Sequence, residues 1–354
     1  MTAVTSPLAS GAPAGASAPA AAGASAAGRG PGPGRGSDLG RFLLRRLLTL
    51  LASLLVTSVL VFSLLSVLPG SPAQVVLGTD ATPGAVAALT RHLGLDVPLW
   101  RQYARWAGGL VTFDLGTSYV SGQPIGPEIA QSLQVTGPLV GLGLLVGALL
   151  GGALGTASAL RHTRLSGALL SSLGQLGVAV PNFVAGLLLV VLVGVKLGWL
   201  PTGGFTFWSA DPLASLRELA LPSLALALAE GAVLSRYVRS AVVEVLRSDY
   251  LRTARAKGLR TGQALLRHGL RNGALPLVTV AGLELAGLLV GAVVVETVFA
   301  LPGLGTLLLN AVQNRDLNLV EDVVMLLAAV VLVVNVLVDV SYRLLDPRLR
   351  QARP

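Results

Sequence analysis

The chain has 354 residues, of which 53% are hydrophobic and 12% charged, with a mean hydropathy of +0.73. A soluble domain carries about 25% charged residues, so this composition calls for lipid as a solvent and excludes an ordinary soluble fold. The net charge of +9 does not signal nucleic-acid binding, because the basic residues flank apolar runs without interleaved aromatic platforms; with no cysteine, disulfides, thiolate chemistry and Cys-based metal sites are also excluded.

Residues 1–38 are almost entirely Ala, Gly, Pro and Ser. They lack the large apolar side chains needed to offset ordering entropy, so a disordered cytoplasmic tail is expected. They also lack the basic and apolar blocks of a signal peptide. A spanning helix needs about 20 apolar residues, and the first candidate is Leu47–Leu68, preceded by Arg41, Arg45 and Arg46. A long extracytoplasmic loop follows, at about 69–132. Within it, Thr82-Pro83 reads as an N-cap with proline at the first helical position, and Gly94 reads as the stop. Trp100, Tyr103 and Trp106 then recur at helical spacing. They suit either an interfacial aromatic anchor or a docking surface for an extracytoplasmic partner.

The second and third spans are expected within the uncharged runs Leu133–Leu160 and Leu165–Val195, the latter kinked at Pro181. The fourth covers Leu219–Ser235 and contains Glu230. The fifth covers Leu275–Val295, opened by Pro276, and contains Glu284. The sixth covers Val323–Val338. Six spans put both chain ends on one side. With that side inside, 20 of the 26 basic residues are cytoplasmic, which is the positive-inside arrangement. An ionisable group within a span is costly and faces protein or water. Glu230 and Glu284 are therefore the candidate pathway residues, with a paired structural carboxylate as the alternative.

The basic segment 241–272 between the fourth and fifth spans is too long for a plain connector. Ser248 or Asp249 can cap a helix start, Arg255 and Lys257 suit the negative end of its dipole, and Gly258 can take a left-handed C-cap. A short helix of about eight residues is expected, followed by a second one from Thr261 into Asn272-Gly273. It is either a solvated loop that sets topology or a docking helix in which small Ala254 and Ala256 admit another backbone.

The stretch Arg252-Thr253-Ala254-Arg255-Ala256-Lys257-Gly258-Leu259, with His268-Gly269-Leu270-Arg271-Asn272, resembles the cytoplasmic loop of dipeptide and oligopeptide permeases. These are importers of the ATP-binding-cassette (ABC) class with a type-1 transmembrane domain. The broad family pattern begins Glu-Ala-Ala, where this chain has Arg252-Thr253-Ala254, and it carries Leu-Pro near Leu270-Arg271. Further matches are Leu93-Gly94-Leu95-Asp96-Val97-Pro98, Asp114-Leu115-Gly116, Pro181-Asn182-Phe183, Leu200-Pro201-Thr202-Gly203-Gly204, Glu296-Thr297-Val298-Phe299, Pro302-Gly303-Leu304-Gly305 and Asp346-Pro347-Arg348-Leu349-Arg350. They fall in family order from about residue 39 to 350.

The resemblance implies an all-α membrane protein with about six transmembrane helices and cytoplasmic termini, in the bacterial inner (cytoplasmic) membrane. Residues 39–131 would hold the first helix and the large outer loop. Residues 132–343 would form the type-1 core, and 344–354 a cytoplasmic tail. It implies a permease subunit for di- or oligopeptides or a related small solute such as nickel or glutathione. Its partners would be a second homologous permease, two cytoplasmic ATP-binding subunits and an extracytoplasmic solute-binding protein. Arg252, Thr253, Ala254, Arg255, Ala256, Lys257 and Gly258 would couple to the ATPase. No Gly-x-x-x-x-Gly-Lys-Ser/Thr loop is present, so ATP would be bound by partner subunits and the chain itself would be non-catalytic, without cofactor. A secondary transporter is the rival class, although no internal repeat supports it. A membrane enzyme is disfavoured because His92, His162 and His268 fall in separate loops. A structural scaffold remains as a fourth reading.

Overall fold

The computed structural model describes residues 35–67, 71–78 and 81–345. Of the predicted tails at 1–38 and 344–354, residues 1–34 and 346–354 lie outside the described residues. Thirteen α-helices follow one another among those described. They are α1 (Arg35–Val67), α2 (Pro72–Leu77), α3 (Pro83–His92), α4 (Leu99–Thr112), α5 (Ile125–Leu160), α6 (Leu165–Ala179), α7 (Asn182–Leu189), α8 (Pro212–Arg247), α9 (Asp249–Ala256), α10 (Thr261–Ala264), α11 (Leu270–Val298), α12 (Leu304–Gln313) and α13 (Leu317–Leu345). Helix α1 starts at Arg35, inside the segment expected to be disordered. π-Helical turns continue α7 over Val190–Lys196 and lead into α11 over Leu265–Gly269.

Among the described residues, five helices are long and apolar enough to cross a bilayer, and the pair α6 and α7 is bent by 100°. Whether that pair crosses or turns back follows from the packing of α5 on α8. Small residues let two helix backbones approach closely in lipid, and Gly143, Gly147, Gly151 and Gly155 of α5 are buried at intervals of four. A Cβ added to each would lie 3.0, 2.9, 2.7 and 2.7 Å from the Cβ of Leu226, Glu230, Leu234 and Val238. Both series climb together, so α5 and α8 run parallel. The chain between them must return across the layer.

It does return, through the bent pair. Gly174 lies against Ser235, Gly177 against Ala232, and Gly186 against Ala225 and Phe299. The expected third span is therefore a crossing, but it is broken rather than merely kinked. Val180 is extended (φ −88°, ψ 117°), as a residue before proline prefers, and Pro181 opens α7.

Pro276 does not open a helix as the sequence suggested, and Pro222 does not interrupt one. Helix α8 passes through Pro222 and runs from residue 212 to Arg247, beyond the expected fourth span. Helix α11 passes through Pro276 instead of starting at it. Spanning helices tolerate interior proline where neighbouring groups satisfy the freed carbonyls. The connection between α8 and α11 is consequently 248–269, shorter than the expected 241–272.

The last crossing runs antiparallel to the first: Arg46 near the start of α1 forms a 2.9 Å ion pair with Asp339 near the end of α13. Six crossings result. One end of the layer carries α2–α4, the 197–211 loop and α12; the other carries the 161–164 turn, α9 and α10. The main core joins Leu139, Leu219, Leu226, Ala292, Val295 and Phe299. A second core, at the α9 end, joins Ala159, Val238, Val242, Val245, Leu251, Ala254, Ala264 and Leu265.

Candidate functional site

Helix α9 is built much as its residues suggested. It spans eight residues and is terminated by Lys257 and by Gly258 at φ +90°. That angle lies where side-chain-bearing residues are strained. The cap differs from expectation. Ser248 occupies the N-cap position without a side-chain cap bond. Its Oγ instead donates to the Val245 carbonyl at 2.6 Å, because the free carbonyls ending α8 lie within reach. Asp249 forms only an exposed 3.6 Å pair with Arg252, worth at most a few tenths of a kcal/mol.

The helix has two faces. Leu251 and Ala254 are 0% and 7% exposed and pack into the second core with α5 and α8. Arg252, Thr253, Arg255, Ala256, Lys257 and Gly258 are exposed. Ala254 was expected to admit a partner's backbone, but it packs inward and seats α9 on its own spans; Ala256 is the small residue on the outer face.

The two carboxylates singled out within spans stand on α8 and α11, which pack together in the main core. Glu230 is 5% exposed, and among the described residues its Oε1 has no hydrogen-bond partner. Its carbon stem packs beside Gly147. Glu284 is half-buried on α11. Neither carboxylate forms a salt bridge among the described residues.

Three further carboxylates organise the opposite end, and none was singled out as a site. Glu296, fully buried, accepts from Thr136 Oγ1 at 2.5 Å and from the amides of Gly305 and Thr306 at 2.8 and 3.1 Å. Thr136 Oγ1 in turn accepts from the Leu304 amide at 2.7 Å. The N-cap of α12 is Gly303, which has no side chain to offer, so Glu296 and Thr136 satisfy the first amides of α12 in its place. This ties the Glu296–Phe299 motif to the Pro302–Gly305 motif.

Asp316 accepts from Ser118 Oγ and, at 3.1 Å, from the Tyr119 amide. Burial, with the Glu321 and Asp316 carboxylates, pushes the Tyr119 phenol up to about 12, so it stays protonated. Asp322 accepts from Trp106 Nε1 at 2.8 Å. The aromatic series of α4 therefore divides. Tyr103 and Trp106 pack on Phe62 of α1, with Tyr103 Oη 3.0 Å from Ser58 Oγ, whereas Trp100 is 65% exposed. Two of the three are internal clamps, and only Trp100 remains on the surface. The α2–α4 segment holds other expected features: Thr82 Oγ1 accepts from the Ala85 amide at 3.3 Å, and Gly94 sits at φ +67° just past α3.

Residues 143–351 match the family of binding-protein-dependent transport system inner membrane components. Residues 39–139 match the N-terminal model of binding-protein-dependent transport system membrane components. The glutathione transport system permease protein GsiC of Salmonella paratyphi A is 40% identical over 309 residues, which cover 87% of this chain and 98% of the relative. The same protein is 39% identical in Salmonella typhi and 37% in Escherichia coli, with the same coverage.

Proposed function

The chain belongs to the family of binding-protein-dependent transport-system inner-membrane components, and from that premise we propose that it forms half of a translocation pathway, beside a second related permease, for small peptides of the glutathione or dipeptide class. It is a non-catalytic permease subunit of an ABC importer in the bacterial inner membrane, working with a substrate-binding protein and an ATPase. In the proposed assembly two ATP-binding subunits sit on the cytoplasmic side, one engaging α9.

The observation that carries this reading is the two-faced geometry of α9. Its inner face is locked into the cores of α5 and α8 through Leu251 and Ala254. Its outer face presents Arg252, Thr253, Arg255, Ala256 and Lys257. A helix so mounted moves with its spans as a rigid body. A partner that tilts α9 therefore tilts α8 and α5, which the glycine contacts hold together. Closure of the nucleotide-binding subunits supplies that tilt, and Gly258 makes the turn that frees the outer face.

Glu230 and Glu284 are the proposed contact for the solute's ammonium group. Two carboxylates held in the spans without a cationic partner among the described residues favour a solute that brings one. The glutathione named for the relatives carries an ammonium group, as does every dipeptide with a free N-terminus. The test is uptake by the reconstituted importer with its binding protein, comparing labelled glutathione, dipeptides and N-acetylated dipeptides. Transport of the free amines but not the acetylated forms is expected. Equal transport of both would remove the carboxylate pair from the pathway.

A further inference from the structure

A cavity of about 590 Å³ opens at the end of the layer that carries α2–α4, between α1, α3, α4 and the start of α13. That is the size of a small-molecule site. Motif residues that the permease reading leaves without a task meet on its wall: Gly94 from the Leu93–Pro98 stretch and Asp114 from Asp114–Gly116. Among the described residues its charged side chains are Arg105, Asp114 and Glu321.

Glu321 is 8% exposed, lines the cavity, and forms no hydrogen bond or ion pair among the described residues. Its acidic neighbours are engaged. Asp316 accepts from Ser118 and from the Tyr119 amide, Asp322 from Trp106, and Asp114 from the Gly116 amide. A buried carboxylate without a donor is costly, so Glu321 is the acid on this wall whose charge suits a cationic ligand group. Arg105 likewise forms no hydrogen bond or ion pair among the described residues. Its guanidinium lies over Gly94, where an added Cβ would stand 2.6 Å from Nη1; the glycine leaves the space for it. Both charges act on the Tyr119 phenol, with opposite sign. A cation and an anion therefore face the same stretch of wall without pairing with each other.

A ligand that answers both charges carries an ammonium and a carboxylate on one small frame. A simple cation would satisfy Glu321 and leave Arg105 aside, and a simple anion the reverse; arginine's fork matches a carboxylate in particular. We propose that this cavity binds a zwitterionic peptide, its ammonium group on Glu321 and its carboxylate on Arg105, before the peptide enters the spans. In the proposed assembly this end lies away from the ATPases, where the solute arrives. The choice of a peptide rests on that permease reading; the charge pattern does not.

The complete importer in phosphatidylcholine nanodiscs, with neither binding protein nor ATP present, supplies the test by equilibrium dialysis against labelled alanyl-alanine. Saturable binding is expected, weakened about tenfold by Glu321→Gln and about tenfold by Arg105→Gln. Blocked peptides separate a ligand contact from a structural effect. N-acetyl-alanyl-alanine should bind about tenfold more weakly than the free peptide and lose nothing further in Glu321→Gln. Alanyl-alanine amide should behave in the same way toward Arg105→Gln. No saturable binding by wild type, unchanged binding in both variants, or equal loss of free and blocked peptides overturns the site. An amide bound as tightly as the free peptide, with Arg105→Gln silent, would make this a cation site and overturns the proposal too. Arg105 is exposed, so Arg105→Gln carries the test if Glu321→Gln does not assemble. Glu230→Gln should leave this binding intact; its loss there would place the peptide in the spans and remove the cavity site. Uptake tests the solute class separately: binding that persists in an importer moving no peptide keeps the cavity site and sinks only the solute class.

Discussion

Glu296 does the work of a helix cap from another helix. Gly303 approaches so closely that a Cβ there would lie 2.2 Å from Glu296 Oε1, so the position has no room for the serine or aspartate that usually caps. Removing the acceptor strands Thr136 Oγ1 and two amides in a buried place. Glu296→Ala is therefore expected to destabilise the purified permease by about 3 kcal/mol, and Glu296→Gln, which keeps one acceptor, by about 1 kcal/mol. Thermal unfolding in detergent measures both; equal melting of Glu296→Ala and wild type would show that the cap is dispensable. Glu284→Gln tests the other kind of buried carboxylate. It should leave assembly and melting intact while lowering uptake of free-amine peptides several-fold, measured in proteoliposomes. Glu230 and Glu284 were legible as sites because a charge within an apolar run is visible locally. Glu296 was legible only as part of a motif. Its partner Thr136 is 160 residues away, and Asp322 and Trp106 are 216 apart; no local pattern encodes such pairings.

At the scale of elements, α9 shows what short-range signals can and cannot specify. Its length and its glycine stop are local matters of dipole and backbone geometry, and they follow from the residues. Which face turns inward depends on α5 and α8, so the residues alone left Ala254 and Ala256 equivalent. The structure separates them, and so do two substitutions. Ala254→Asp buries an unpaired carboxylate in the second core, an unfavourable change of several kcal/mol, and should loosen α9 and lower the yield of folded permease. Ala256→Asp leaves folding and insertion unchanged, because the side chain is exposed. It should nevertheless abolish co-purification of the ATPase and solute-stimulated ATP hydrolysis. If Ala256→Asp kept both, α9 would be an orientation signal only. The parallel packing of α5 on α8 makes a separate demand. At Gly151 an added Cβ would lie 2.7 Å from Leu234 Cβ and 2.8 Å from the Gly231 carbonyl. Gly151→Leu should therefore force the helices apart and cost more than the 1–3 kcal/mol typical of overpacking, about 4 kcal/mol. Expression of folded permease, followed by fluorescence-detected size exclusion, registers the loss.

For the molecule as a whole, hydropathy gave the number of spans but not their continuity. Prolines at 138, 222 and 276 sit inside unbroken helices, while Pro181 divides α6 from α7 by 100°. Proline identity is the same at all four, so the difference lies in what surrounds each carbonyl and not in the local sequence. Parity is fixed by packing: parallel α5 and α8 require one return crossing between them, and the Arg46–Asp339 pair brings the start of α1 and the end of α13 to one level. Parity says that those two ends share a side with α9; it does not say which side is the cytoplasm. Charge decides that. Segments near spans that are rich in Arg and Lys stay inside, and the α9 end carries Arg161, Arg164, Arg247, Arg252, Arg255, Lys257, Arg260 and Arg267 among others, against Arg91, Arg101, Arg105, Lys196, Arg217 and Arg315 at the opposite end. The expected orientation puts α9 in the cytoplasm and Ser121 outside. The chain has no native cysteine, so single probes need no altered background. In intact cells a membrane-impermeant maleimide should label Ser121→Cys and not Lys257→Cys, and permeabilisation should make Lys257→Cys reactive, since both positions are exposed. The reverse pattern would invert the topology, remove α9 from the reach of any cytoplasmic ATPase, and with it the coupling role of its outer face.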